Sequence, residues 1–276
     1  MAGARCSGGV LVVLMGVAGL VVALTSAGRA NPLWQVWAAL AVSLCCAAGL
    51  VALHGRAQWR ELAAIRPLDR RSVVLPTAVL VAGVVAVVVL GEVLAARPGA
   101  GWRGDVLVLL AVSGGAWAGA AMFGVRHLAL TQPSTTELAG LEASVVELVG
   151  LRRRLQRLAS GLGALVALST LALGAGLLMS KNAPRELVVV FGGGGSATVG
   201  LLYAPAAAAI RTRGEQLVGA VFSGQPADRA DLVDRAEQRA KLEQAIGVDR
   251  TLFGELQVAL PVLGPLIAAA AVFLPR

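Results

Sequence analysis

The sequence predicts an all-α integral membrane protein with about seven transmembrane helices and a cytoplasmic helical extension continuous with spans five and six. Three observations lead there. The chain is 57% hydrophobic and only 14% charged, whereas a soluble domain is about half apolar and a quarter charged. Its mean hydropathy is +0.76. A bilayer core of about 30 Å takes about 20 helical residues, and seven apolar runs approach that length, at 10–25, 33–53, 73–95, 106–125, 162–179, 187–210 and 256–274.

A net charge of +8 would suggest nucleic acid as a partner for a soluble chain. Here the basic residues lie in the connections between spans, so their distribution reads as topology and no nucleic-acid partner is expected. With the N-terminus inside, the outer side carries six of the 24 basic residues (Arg29, Arg97, Arg103, Lys181, Arg185 and Arg276) and the inner side carries the other 18. The excess of Lys and Arg on cytoplasmic loops then places the N-terminus in the cytoplasm and the C-terminus outside. The first span also fits a signal peptide, with Arg5 before a short apolar region and small residues at Ser26, Ala27, Gly28 and Ala30. Cleavage there would leave six spans with the same loops inside. The 22 Arg against 2 Lys, with abundant Ala, Gly and Val, matches the coding bias of a GC-rich bacterial genome. The expected location is therefore a bacterial inner membrane.

Residues 1–133 form a four-span region with short connections. The connection 56–71 sets Trp59, Leu62, Ile65 and Leu68 among arginines, the composition of a short interfacial helix. Residues 134–276 form a three-span region with cytoplasmic helices at about 134–160 and 211–247. Ser134 with Glu137 three residues on fits a capping box, and Leu141, Leu148, Leu155 and Leu162 recur every seven residues. Nothing then breaks the helix before Met179. A helix of about 45 residues is about 68 Å long, so about half of it should project beyond the hydrocarbon.

On the way back, span six keeps helical periodicity past Ile210 to a turn at 223–228. The next helix, about 227–246, pairs opposite charges four apart, at Asp231 and Arg235, Glu237 and Lys241, and Arg239 and Glu243. Its narrow stripe of Leu232, Val233, Ala236, Ala240, Leu242 and Ile246 suits packing on the helix at 135–160. Residues 211–255 hold 7 basic and 8 acidic side chains, a balance that favours a protein partner over phosphate.

The run of glycines at 192–195 lies inside span six. A flexible linker is excluded there, because backbone in lipid must satisfy its own hydrogen bonds. A phosphate loop would need its fingerprint between a strand and a helix, and Thr198, Val199 and Gly200 match a potassium filter over three residues only. Gly192, Ser196, Gly200, Ala204 and Ala208 fall four apart, an extended small-xxx-small pattern that lets helices approach closely. Gly193, Gly194 and Gly195 stand outside that ladder. Related spacings at Ala111, Gly115 and Gly119 in span four, and at Ala172, Gly176 and Ser180 in span five, predict that spans four, five and six pack together.

Side chains capable of chemistry are scarce. Glu92 is the one acid inside a span and so the candidate for an ion or proton site, although nearby Arg97 suggests an interfacial position. Arg152, Arg153, Arg154 and Arg157 precede span five and are expected to anchor it to anionic lipid. Pro261 and Pro265, around Gly264, would bend span seven. Cys6, Cys45 and Cys46 read as small packing residues, without a metal-ligand spacing. His54 and His127 sit at span ends, and no nucleophile has a base at hand.

No catalytic residue, cofactor or metal is therefore expected. The leading expectation is a non-enzymatic membrane regulator, sensor or assembly subunit that acts through helix packing and docks a cytoplasmic protein or a second copy of itself, with the lipid bilayer as its other partner. The alternative is an oligomeric channel or pore-forming effector, or a transporter of a small neutral solute.

Overall fold

The computed structural model describes residues 3–94, 102–131, 138–179, 186–222 and 229–246. They are helical almost throughout, with no strand among them. The helices are α1 (Gly3–Leu24), α2 (Trp34–Ile65), α3 (Arg70–Leu94), α4 (Trp102–Thr131), α5 (Leu138–Met179), α6 (Glu186–Val221) and α7 (Arg229–Ile246).

Local chemistry sets the ends. After α1, the Ser26 hydroxyl accepts from the Gly28 amide at 3.2 Å and starts a single 3₁₀ turn, Ala27–Ala30. α2 stops at Arg66, whose backbone is extended at φ −149° and ψ 150°. Pro67 follows, and a residue before proline is disfavoured in helical conformation. Asp69 restarts the chain, its carboxylate accepting from the Arg71 amide at 3.1 Å in the first turn of α3. Pro76 and Pro205 lie inside α3 and α6, each removing one amide from the helical ladder. Hydroxyls within the apolar helices bond back to their own backbone: Thr170 donates to the Val166 carbonyl and Thr198 to that of Gly194, both at 2.8 Å.

Four of the seven predicted spans belong to helices long and apolar enough to cross a membrane, namely α2, α4, α5 and α6. α1 and α3 contribute shorter apolar stretches, Gly9–Leu24 and Arg71–Val85. The span at 256–274, with Pro261, Gly264 and Pro265, lies outside the described residues, as does the capping box at Ser134 and Glu137. The same four long helices form the packed centre. α4 touches α2, α5, α6 and α3, whereas α1 lies mainly against α2. Outward faces of α1 and α3 are strongly apolar and open, as at Val13, Leu14, Leu75 and Val79, which suits contact with lipid.

The two halves of the chain share one core. Leu62 of α2, Met122 and Leu128 of α4, Leu148, Leu155 and Leu158 of α5, and Leu202 and Leu217 of α6 are buried in a single cluster. The seven-residue leucine stripe of α5 is thus the buried edge of that helix. A second cluster toward the other end joins Val22, Trp37, Leu44, Leu107 and Leu165. Cys45 and Cys46 pack as expected: a Cβ at Gly19 or Gly16 would meet their sulfurs at 2.9 Å, so glycines on α1 make room for them.

One expected element is different. Residues 56–65 are not a separate interfacial helix, because they continue α2 without a break. Their Leu62 is fully buried and packs over Gly124 of α4. The arginines in this segment fall on the exposed side of a helix whose other side is already committed to the core, so no break is needed to place them in a polar environment.

Candidate functional site

At one end of the bundle α2, α4 and α5 run on beyond their apolar segments, and polar side chains join them there. Arg66 sits where α2 ends. Its Nη2 donates to both carboxylate oxygens of Glu147 on α5, at 2.7 and 2.9 Å, and its Nη1 donates to the Leu128 carbonyl at the end of α4 at 3.4 Å. Both side chains of the pair are about three-quarters covered. One guanidinium therefore ties the ends of α2 and α4 to the third turn of α5, its Nη2 shared between both carboxylate oxygens and its Nη1 given to a backbone carbonyl.

A second bridge runs parallel to it. Arg154 of α5 pairs with Glu61 of α2 at 3.2 Å. Nearby, Ser72 of α3 and the Nδ1 of His127 on α4 share a hydrogen bond at 3.3 Å. On the far side of α5, Arg152 donates to the carbonyl of Ile246, the last residue of α7, where a cation meets the negative end of the helix dipole. Gln58, two turns before Arg66, is buried, and its Oε1 has no partner among the described residues.

The four arginines before span five therefore divide. Arg152 and Arg154 are half-buried and engaged within the chain, while Arg153 and Arg157 are exposed, with no ion-pair partner among the described residues. The predicted site residues elsewhere also scatter. Gly192 and Ser196 are buried, Gly200 is half-buried, and Ala204 and Ala208 face outward. A four-residue step overshoots a turn of 3.6 residues by about 40°, so the ladder winds off the contact face within three or four steps.

The contact face of α6 runs instead through Val188, Gly192, Val199, Leu202, Ala206 and Ala209. Gly195, which the ladder omits, is a close-contact glycine: a Cβ there would overlap the Val166 side chain of α5. In α4, Gly115 faces Leu162 and Leu165 of α5, and Gly119 faces Leu202 of α6, which brings α4, α5 and α6 together. Glu92 falls in the last turn of α3, and its side chain, like Arg97, lies outside the described part of the structure.

Sequence reasoning missed the closest approach of one helix backbone to another among the described glycines. A Cβ on Gly114 of α4 would sit 2.5 Å from the Ala48 carbonyl oxygen of α2, and one on Gly55 of α2 would sit 2.5 Å from the Ala118 amide nitrogen. α2 and α4 thus run parallel, backbone against backbone. The signal was a seven-residue recurrence, at Ala41, Ala48, Gly55 and Leu62 in α2 and at Gly114, Ala121 and Leu128 in α4. A seven-residue step drifts by only about 20° and stays on one face.

Among the described residues no group of His, Cys, Asp and Glu could hold a metal ion. The arrangement holds α2, α4 and α5 together through charged side chains. Compared with protein-family models, with curated proteins and with solved structures, the chain matches none.

Proposed function

We propose that the chain is a non-enzymatic, multi-pass membrane protein that docks a protein partner on the extended ends of α5 and α6 and on α7, and passes that contact to its membrane spans. The observation that carries this reading is the length and continuity of α5 and α6. At 1.5 Å per residue, their 42 and 36 residues span about 63 and about 54 Å, against about 30 Å of hydrocarbon. Leu141, Leu148 and Leu151 keep the extended part of α5 in the same buried cluster as the apolar part. A displacement at the outer end thus reaches the spans through unbroken helix.

α7 supplies the surface. Val233, Ala236, Glu237, Arg239, Ala240 and Lys241 are exposed, so among its described residues the narrow apolar stripe is open at Val233, Ala236 and Ala240 and covered toward Ile246. Of the expected intrahelical pairs, Arg239 meets Glu243 at 2.7 Å and Lys241 meets Glu237 at 3.9 Å, while the side chains of Asp231 and Arg235 lie outside the described part of the structure. Mixed charge around a small apolar stripe suits a protein more than a phosphate. In this reading the chain has seven spans, lies in a bacterial inner membrane, and turns its polar extension and N-terminus to the cytoplasm, as the 18 to 6 division of basic residues supports.

The test places a photo-crosslinking amino acid at Val233 or Ala240 in living cells, with outward-facing Val13 of α1 as the control. The expected result is one protein adduct of discrete mass from the α7 positions and none from Val13. Absence of any protein adduct from α7 would falsify the docking role.

A further inference from the structure

α2, α4 and α5 enclose an apolar crevice of about 130 Å³ at the level where the apolar spans give way to the polar extension. Leu50 and Val51 of α2, Ala118 of α4, and Leu158 and Gly161 of α5 form its walls. His54 and Arg157 complete the lining, and both are exposed.

Three features bear on an occupant. Arg157 has no hydrogen-bond or ion-pair partner among the described residues, unlike its neighbours Arg152 and Arg154. Arg153, also exposed and without an ion-pair partner there, is one turn away on the same side of α5, and like charges at that spacing repel one another unless an anion lies between them. Trp117, next to Ala118 in the wall, is 42% exposed and carries Arg56 over its ring at 5.8 Å. An exposed tryptophan beside arginine is the side-chain pattern of the headgroup level.

We infer that this crevice is a binding site for an anionic phospholipid of the surrounding bilayer, with the headgroup phosphate on Arg157 and the upper part of one acyl chain between Val51, Leu158 and Gly161. Charge complementarity selects the headgroup, since the described lining offers a guanidinium without a described partner, an imidazole and no carboxylate. The walls select hydrocarbon. A dry engineered cavity of about 150 Å³ accepts benzene, so a crevice of about 130 Å³ takes a comparable length of chain. Guanidinium binds phosphate through paired donors, and the crevice supplies the apolar complement that a bare cationic surface lacks. The inference rests on the chain lying in a membrane and is independent of what docks on α7.

The experiment uses the purified full chain in mild detergent and native mass spectrometry. Retention of phosphatidylglycerol is compared with that of phosphatidylcholine carrying the same chains, for wild type, Arg157→Gln, Arg157→Lys and Gly161→Leu. Each variant is first checked for a monodisperse, helical state. Wild type should retain phosphatidylglycerol about fivefold better, the factor that one basic residue contributes at an anionic surface. Arg157→Gln should abolish the preference and Arg157→Lys should keep part of it. Gly161→Leu leaves every charge in place but fills the crevice, and should also lose the preference.

Equal retention of the two lipids by wild type overturns the site. So does an undiminished preference in Gly161→Leu, which would leave only diffuse surface charge. Displacement by glycerol phosphate as effective as by the intact lipid overturns the acyl-chain part. None of these outcomes touches the docking role, which the crosslinks from α7 test separately.

Discussion

Arg66 and Glu147 lie 81 residues apart and meet through both carboxylate oxygens, closing the end of α2 onto α5. Because the pair is largely covered and charge-assisted, its loss should cost more than that of an exposed pair. Charge-assisted hydrogen bonds of this kind contribute about 1.5–3 kcal/mol, against a few tenths for a surface pair such as Arg239 with Glu243. In a double-mutant cycle with Arg66→Gln and Glu147→Gln, followed by unfolding in detergent, the coupling should exceed about 1 kcal/mol. A coupling near zero would mean that the bridge only decorates a junction held by Leu62 and Leu148.

The approach of α2 and α4 should be intolerant of a single methyl group. Gly114→Ala places that methyl 2.5 Å from the Ala48 carbonyl oxygen, where backbone rather than a flexible side chain must yield. Overpacking costs about 1–3 kcal/mol. Gly150 and Gly219, in contrast, have nothing within 4 Å of an added Cβ. Alanine there should stabilise by about 0.5–1 kcal/mol, the difference in helix propensity. Thermal midpoints of the three variants should therefore fall on opposite sides of wild type.

Gly195 and Val166 should behave as one unit. Gly195→Ala alone forces the Val166 side chain out of place, and Val166→Ala alone opens a gap. Combined, the substitutions exchange one filled position for another, so the double variant should recover most of the stability lost in Gly195→Ala. Additive losses would show that the clash is relieved elsewhere.

Gln58 is the outlier of the polar end. It is buried, with an oxygen that finds no partner among the described residues, and an unsatisfied buried polar group costs about 1–3 kcal/mol. Gln58→Met keeps the volume and removes that group, so it should raise the unfolding midpoint. A lower midpoint would place an ordered water or a further residue on that oxygen.

The helices were legible where one chain segment decides its own fate. Long apolar runs, the leucine recurrence of α5 and the four-residue charge pairs of α7 depend on local periodicity, and Leu148, Leu155 and Arg239 stand where that periodicity places them. The small-residue ladder of span six failed as a guide to the full contact face for the same kind of reason. Its four-residue step does not match the turn of a helix, so Ala204 and Ala208 leave the face on which Gly192 lies. The interfacial helix expected at 56–71 failed because arginine content describes the exposed side of a segment, while Leu62 and Gln58 on its other side hold it in α2.

The sequence by itself determined that the chain forms long apolar helices compatible with a membrane protein, because hydropathy and helix length are additive properties of neighbouring residues. It also set the length of α5 and α6, 42 and 36 residues, beyond the roughly 20 that a hydrocarbon core requires, with Pro205 accommodated inside α6. Only the tertiary structure decided which glycines touch backbone, that Arg66 reaches Glu147, and that Arg152 and Arg154 are engaged while Arg153 and Arg157 have no ion-pair partner among the described residues. Those outcomes depend on distances between segments remote along the chain, and such distances are fixed by the joint packing of four helices rather than by any one of them.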